Sequence, residues 1–227
     1  MTTILPAVDA AARRAVAHRT EQLFTEAGAF RTGHFALKGG RHSDRYLEKF
    51  QVLQFPAAVS ELCSFISARV RGPDGRPQVD VVAGPTTGGV ILAFEVARQL
   101  GVRGIFAEEV REGEGETRRE FRRGFHIAPG ERVLLVDDIL TTGGSLLRML
   151  PPVESADARL ALAMVLVDRS AGTSELISPV SGVSCALESL WPLALPTYAP
   201  GQPECPGCVA ALPLETPGAS GATGSGP

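Results

Sequence analysis

Residues 132 to 150, RVLLVDDILTTGGSLLRML, constrain this chain more than any other stretch. An apolar run without polar alternation reads as a strand buried on both faces, and such a strand needs cover on each side. The run ends in two adjacent acids, Asp137 and Asp138. It then enters Thr141, Thr142, Gly143, Gly144 and Ser145 before a helical pattern begins. A buried strand passing to a helix through a tight glycine loop is part of a βα unit, and one such unit needs others beside it.

The rest of the chain supplies them. VDVVAG (79–84) reads as a buried strand, and TTGGVILAFEVARQLG (86–101) as a glycine-started helix that Gly101 ends. VRGIFAEE (102–109), RLALAMVLVD (159–168) and VSCALESLW (183–191) read as further strands. Residues 56–70 form an amphipathic helical pattern with Pro56 at its start, and 143–153 begin a helix that Pro151 is expected to stop. The first thirty residues read as helix, with Gly28 ending it, and FRTGHFALKGGRHSDRYLEKF (30–50) as short strands and turns. Segment 108–123, dense in Glu, Arg and Gly, breaks the alternation. The expectation is an α/β fold, a mostly parallel sheet flanked by helices, with ligands at the carboxyl ends of the strands.

A chain of 227 residues, 44% hydrophobic and 21% charged, suits one domain. We expect that domain over 1–215, with a small N-terminal helix/strand hood at about 20–55, a core at about 56–195, and a disordered tail over 216–227. The net charge of −3 gives no general attraction to nucleic acid or a membrane surface, so neither is expected as a partner. No apolar run approaches the ~18 residues of a membrane span. Arg13, Arg14 and Glu21 interrupt the N-terminus, which does not read as a secretion signal, so a cytoplasmic location is expected. Cys63 and Cys185 sit in apolar surroundings and read as core. Cys205 and Cys208, in ECPGC, read as a surface turn shaped by Pro203, Pro206 and Gly207, since a lone CxxC is at best half a zinc site.

The loop from Thr141 to Ser145 has the chemistry of a phosphate cup: small residues let backbone N–H groups crowd an anion, hydroxyls add donors, and a helix N-terminus adds attraction. It is not a P-loop, because GxxxxGK[ST] is missing. Asp137 and Asp138 can only accept, so they call for hydroxyls or a cation. A phosphate at one end and a diol at the other describe a ribose 5-phosphate.

This stretch resembles the phosphoribosyl-pyrophosphate signature of the type I phosphoribosyltransferases. The resemblance implies that Thr141, Thr142, Gly143, Gly144 and Ser145 hold the 5-phosphate, and that Asp137 and Asp138, with Ile139 and Leu140 beside them, meet the ribose hydroxyls. It implies that Gly84, Pro85, Thr86, Thr87, Gly88 and Gly89 form the pyrophosphate loop. It also implies Mg²⁺ held mainly by substrate oxygens rather than by a protein ligand set. The flanks GHFALKGGRHSDRYLEKF, VLVDRSAGT and LPTYAPGQPECPGC are similar to orotate phosphoribosyltransferases, over roughly residues 20–214. That likeness implies ligand contacts from Lys38, a base pocket at Tyr46 and Leu47, and orotate contacts from Thr141 and Arg169. Arg169 and Lys38 suit an acidic pyrimidine better than a neutral purine.

The sequence also departs from the family. No lysine or histidine occurs from Gly104 to Phe125, where well-known members carry a basic run with a catalytic lysine; Glu108 and Glu109 stand in that place, and Gly88 replaces a lysine of some members. Arg111, Arg118 and Arg119, with Arg122 and Arg123, are the cations left to serve a lid over 108–123. The expected reaction is transfer of ribose 5-phosphate from phosphoribosyl pyrophosphate to orotate, giving orotidine 5′-monophosphate in pyrimidine synthesis. In the family this loop reaches into the neighbouring subunit's site, so the resemblance implies a homodimer. Transfer to another base, or a non-catalytic phosphoribosyl-pyrophosphate-binding regulator, stays open at this point.

Overall fold

The structure is a computed structural model that describes residues 9–37, 39–113, 116–170 and 172–217. Helix α1 (Ala10–Glu26) is followed by a hairpin of β1 (Phe30–Ala36) and β2 (His42–Leu47), then the short α2 (Phe50–Leu53) and α3 (Pro56–Arg69). The βα alternation runs β3 (Val81–Pro85), α4 (Gly88–Leu100), β4 (Arg103–Glu112), β5 (Glu116–Phe121), β6 (Arg132–Leu140), α5 (Gly144–Leu147), α6 (Leu150–Glu154) and β7 (Arg159–Asp168). It closes with β8 (Glu175–Ile177), β9 (Ser184–Pro192) and α7 (Pro206–Val209).

The main sheet has the order β5-β4-β3-β6-β7-β9-β8. Pairs β4–β3, β3–β6, β6–β7 and β7–β9 are parallel, and the two edge strands are antiparallel. The chain leaves β3 toward β4 on one side and returns with β6 on the other. The connections that leave β3 and β6 therefore run in opposite directions, and a crevice opens between them beyond the carboxyl ends of the two strands. Both faces are covered, as the unbroken apolar strands require. Leu134 and Val136 pack with α1, α3 and α4, whereas Val133 and Leu135 pack with Leu146, Met149, Leu150 and Val153 of α5, α6 and the turn between them.

Four expectations need correction. Segment 108–123 does not interrupt the sheet: β4 runs on to Glu112 and turns back as β5, pairing Glu109 with Arg119 and Arg111 with Thr117. Alternation, not apolarity, makes this strand pair. Pro151 does not stop a helix; it lies in the first turn of α6, where a missing N–H costs nothing. The chain also gains β8, too short to show a period. Finally, Cys205 and Cys208 are not a surface turn. Cys205 is fully buried, and the C-terminal segment wraps the β1–β2 hairpin. Tyr198 exchanges backbone hydrogen bonds with His42 at 2.8 and 2.9 Å, and Glu215 bonds His34 and Ala36, each at 2.8 Å. This covers both edges of a ribbon that would otherwise expose unpaired strand groups. Lys38 and residues 1–8 and 218–227, including most of the expected tail, lie outside the described residues. No helix among the described residues is long and apolar enough to cross a membrane.

Candidate active site at the strand switch point

Two loops and an acid pair meet in the β3–β6 crevice. At the end of β3, Gly84 and Gly89 fold the chain back on itself: a Cβ on Gly84 would lie 2.2 Å from the Gly89 carbonyl oxygen, and one on Gly89 would lie 2.6 Å from the Pro85 ring. Only glycine permits that turn. Gly88 faces the acids, and a Cβ there would reach 1.7 Å from Asp138 Oδ2. A lysine at 88 would collide with the carboxylate as it is placed, so the departure from the family pattern has a local steric reason. Thr86 N–H donates to Ala107 of β4 at 3.1 Å, anchoring the loop to the sheet.

Strand β6 continues through the acids to Leu140, so Asp137 and Asp138 are part of the sheet and are 7% and 2% exposed. Asp137 Oδ1 accepts the Asp138 N–H at 2.9 Å, and Asp138 Oδ1 accepts the Ile139 N–H at 2.7 Å. Burial first, and then the neighbouring Asp138 carboxylate, push Asp137 up to about 7. Lys49 balances the pair. Its ammonium donates to Asp138 Oδ1 at 2.8 Å and lies 2.7 Å from Oδ2. The sequence reading missed Lys49. It stands three residues past Tyr46, and only the hairpin's approach to the sheet brings it to Asp138.

The cup after β6 turns at Gly143, whose φ of 75° favours glycine. Gly143 accepts the first helical hydrogen bond, from Leu147 at 2.8 Å. Helix α5 is a single turn, so a dipole adds less than expected there, and the cup depends on its N–H groups and hydroxyls. Thr141 and Thr142 are exposed, and Ser145 is half-buried.

Arg119 links the two loops. It points from β5 into the crevice, is 6% exposed, and donates to Thr86 Oγ1 at 2.8 Å and Ser145 Oγ at 3.4 Å. Burial lowers its pKa most; Glu109, 3.6 Å away, acts against this, and the like charge of Arg148 adds to it. Among the described residues, Nε of Arg119 and Nε of Arg148 are buried without a hydrogen-bond partner. Two arginines with spare donors beside a hydroxyl-rich loop make a strong anion site. Arg148, three residues beyond Ser145, was also missed, although its one-turn spacing from the cup was readable. Arg111 shares the hairpin face of Arg119 but lies nearer the tip, whereas Arg118 lies on the opposite face beside Glu120.

Arg169 follows β7, and its N–H donates to Leu140 at 2.8 Å, directly before the cup. Burial lowers its pKa, and the charge interaction with Tyr46 opposes that shift. Its Nε also has no partner among the described residues. Asp168 does not engage it through Oδ1, which accepts the Ser170 N–H at 2.7 Å. Tyr46 is half-buried with its ring 5.6 Å from Phe35, while Leu47 points the other way into the core. A separate cavity of about 520 Å³ runs along β7 and β9 past Phe65 and Glu188, and at the strand ends it touches Leu140, Asp168 and Pro192.

Fold and crevice together define a class: a doubly wound α/β protein with anion loops on either side of a buried acid pair at the switch point. The chain belongs to the phosphoribosyl transferase domain family, whose profile matches residues 51–195. It is 45% identical over 196 residues to an orotate phosphoribosyltransferase of Pelotomaculum thermopropionicum, covering 86% of this chain and 94% of that one. It is 39% identical to one of Chlorobaculum parvum, covering 88% and 94%. The crystal structure of orotate phosphoribosyltransferase from Aeropyrum pernix superposes with a TM-score of 0.61 at 27% identity, over 76% of this chain and 92% of that one.

Proposed function

We propose that this chain transfers ribose 5-phosphate from phosphoribosyl pyrophosphate to orotate, releasing pyrophosphate and forming orotidine 5′-monophosphate for pyrimidine synthesis. The observation that carries this reading is the buried Asp137–Asp138 pair between two loops that Arg119 bridges. The similarity to orotate phosphoribosyltransferases over most of the chain supports orotate as the acceptor.

In this reading the cup from Thr141 to Ser145 takes the 5-phosphate, and the loop from Gly84 to Gly89 takes the pyrophosphate. Lys49 yields Asp138 to the ribose hydroxyls. The bond from C1 to the pyrophosphate oxygen breaks as the orotate nitrogen bonds to C1, and the nitrogen's proton passes to solvent. Positive charge grows on the ribose, and the acid pair below tempers it. Negative charge grows on the leaving group, where Arg119 has a donor to spare. Arg169 and Tyr46 form the acceptor side, and a planar guanidinium suits the orotate carboxylate. The β4–β5 hairpin excludes water from the cationic ribose.

Mg²⁺ fits this donor set as an ion held mainly by substrate. Asp138 is occupied by Lys49 and a backbone N–H, so the chain offers a hard cation few free carboxylate oxygens. When bound, the ion neutralises charge on the departing pyrophosphate. A homodimer and a cytoplasmic location belong to the same reading. The dimer is supported by apolar exposure near the crevice at Phe50, Phe55, Ile91 and Phe94, the last 69% exposed.

The test is loss of orotate absorbance with phosphoribosyl pyrophosphate and Mg²⁺, with adenine, hypoxanthine and uracil run in parallel. Consumption of orotate alone supports the reading. Turnover of another base moves the acceptor, and tight phosphoribosyl-pyrophosphate binding without turnover makes the chain a regulator.

A further inference from the structure

We infer that His34, His42, Cys205 and Cys208 form a tetrahedral Zn²⁺ site that fastens the C-terminal segment to the β1–β2 hairpin. One ligand atom from each of the four lies within 4.8 Å of all the others. His34 Nε2 is 2.9 Å from His42 Nδ1, 3.5 Å from Cys208 Sγ and 3.7 Å from Cys205 Sγ, and His42 Nδ1 is 3.2 Å from Cys208 Sγ. Zinc bonds near 2.0–2.1 Å to nitrogen and 2.3 Å to sulfur give tetrahedron edges of about 3.3–3.8 Å. The observed separations scatter around that range.

Proton bookkeeping points the same way. His34 Nδ1 lies 3.0 Å from the Leu212 carbonyl, which can only accept, so Nδ1 carries the proton and Nε2 presents a lone pair. That lone pair faces a second imidazole nitrogen and two sulfurs, a poor hydrogen-bonding set but a good set of ligands. The bond to Leu212 also fixes the tautomer and the ring direction, as partners behind metal-bound histidines do. Two thiolates with two imidazoles select zinc over hard cations.

The local backbone is shaped to this point. Gly207 lies between the cysteines, and a Cβ on it would come 2.4 Å from His34 Cγ. Only glycine lets the CxxC turn lie against the imidazole. His34, His42 and Cys205 are buried, Cys208 is half-buried, and both cysteines are free thiols. The site joins residues more than 160 positions apart in sequence. It also steadies the strand that leads to Tyr46 and Lys49. Zinc is thus structural and distinct from the Mg²⁺ of the reaction, and this inference does not rest on the proposed function.

The test uses the full chain, produced in zinc-supplemented medium without a histidine tag or chelator. Elemental analysis is expected to give about one zinc per chain, lost in Cys205→Ser/Cys208→Ser and kept in Cys63→Ser. To keep the test independent of how the double variant folds, wild-type protein is also exchanged with Co²⁺, which should show tetrahedral ligand-field bands and thiolate charge transfer. Stripping zinc from wild type should expose two further reactive thiols and lower the melting temperature. Wild-type protein that takes up neither zinc nor cobalt overturns the inference. So does full zinc retention in a folded double variant, or a Cys205–Cys208 disulfide in metal-free protein isolated without reductant.

Discussion

Lys49→Met tests the electrostatics of the acid pair most directly. Asp138 is 2% exposed, and its two oxygens lie 2.8 and 2.7 Å from the Lys49 ammonium. Removing one member of a fully buried ion pair costs about 3–5 kcal/mol, because the survivor stays charged and dry. The Lys49 side chain is 32% exposed, so solvent already screens part of the interaction. Asp138 also keeps the Ile139 N–H. A loss of about 2 kcal/mol is therefore expected in the ligand-free protein. In a chain of this length that is a fall of about 4–8 °C in melting temperature. Asp138→Asn removes the buried charge, keeps an oxygen for Ile139, and frees Lys49 to reach solvent, so it should cost under about 1 kcal/mol. The double variant should then melt well above Lys49→Met alone, a coupling that urea denaturation of all four proteins measures. If Lys49→Met melts within about 1 °C of wild type, Asp138 does not depend on Lys49. If Asp138→Asn fails to rescue it, the loss comes from packing rather than from an unpaired charge.

Two further outcomes follow from the same site. Burial raises Asp137, so between its ordinary 3.8 and about 7 the folded chain binds a proton that the unfolded chain has released. Its contribution to stability is fully present below the unfolded value and declines as pH rises through that window. Asp137→Asn, which mimics the protonated acid, should therefore raise the melting temperature more at pH ~8 than at pH ~5; an equal or opposite difference refutes the assignment. Arg119→Ala should lower kcat for orotate about 100-fold or more, with Arg119→Lys recovering only part, whereas Arg111→Ala should act weakly; similar losses from both in steady-state assays would show that the hairpin acts as a charged surface.

The legible parts were those with a local cause. Unbroken apolar runs such as VLLV and LALAMVLV gave the buried strands, because a strand covered on both faces has no room for polar alternation. Glycine at 84, 89 and 143 was readable as tight-loop chemistry, and the structure shows the close approaches and the positive φ that demand it. The acid pair and the Thr/Gly loop lie within nine residues of one another, so their joint chemistry survives in the linear order.

What the sequence could not determine was convergence across long separations. Arg119 reaches Thr86 and Ser145 only because β4 and β5 pair, and nothing local distinguishes it from Arg118, which faces the other way. Lys49 meets Asp138 across 89 positions, once the hairpin has approached the end of the sheet. ECPGC read as a turn because half a metal site has no local signature. His34 and His42 complete the cluster only after the C-terminal segment pairs with both edges of the β1–β2 ribbon. Backbone pairing fixes such meetings, and it follows from the free energy of the whole chain rather than from any window of it. The sequence alone determined the strands, the glycine turns and the acid loop; the tertiary structure decided which distant charges and thiols share one point in space.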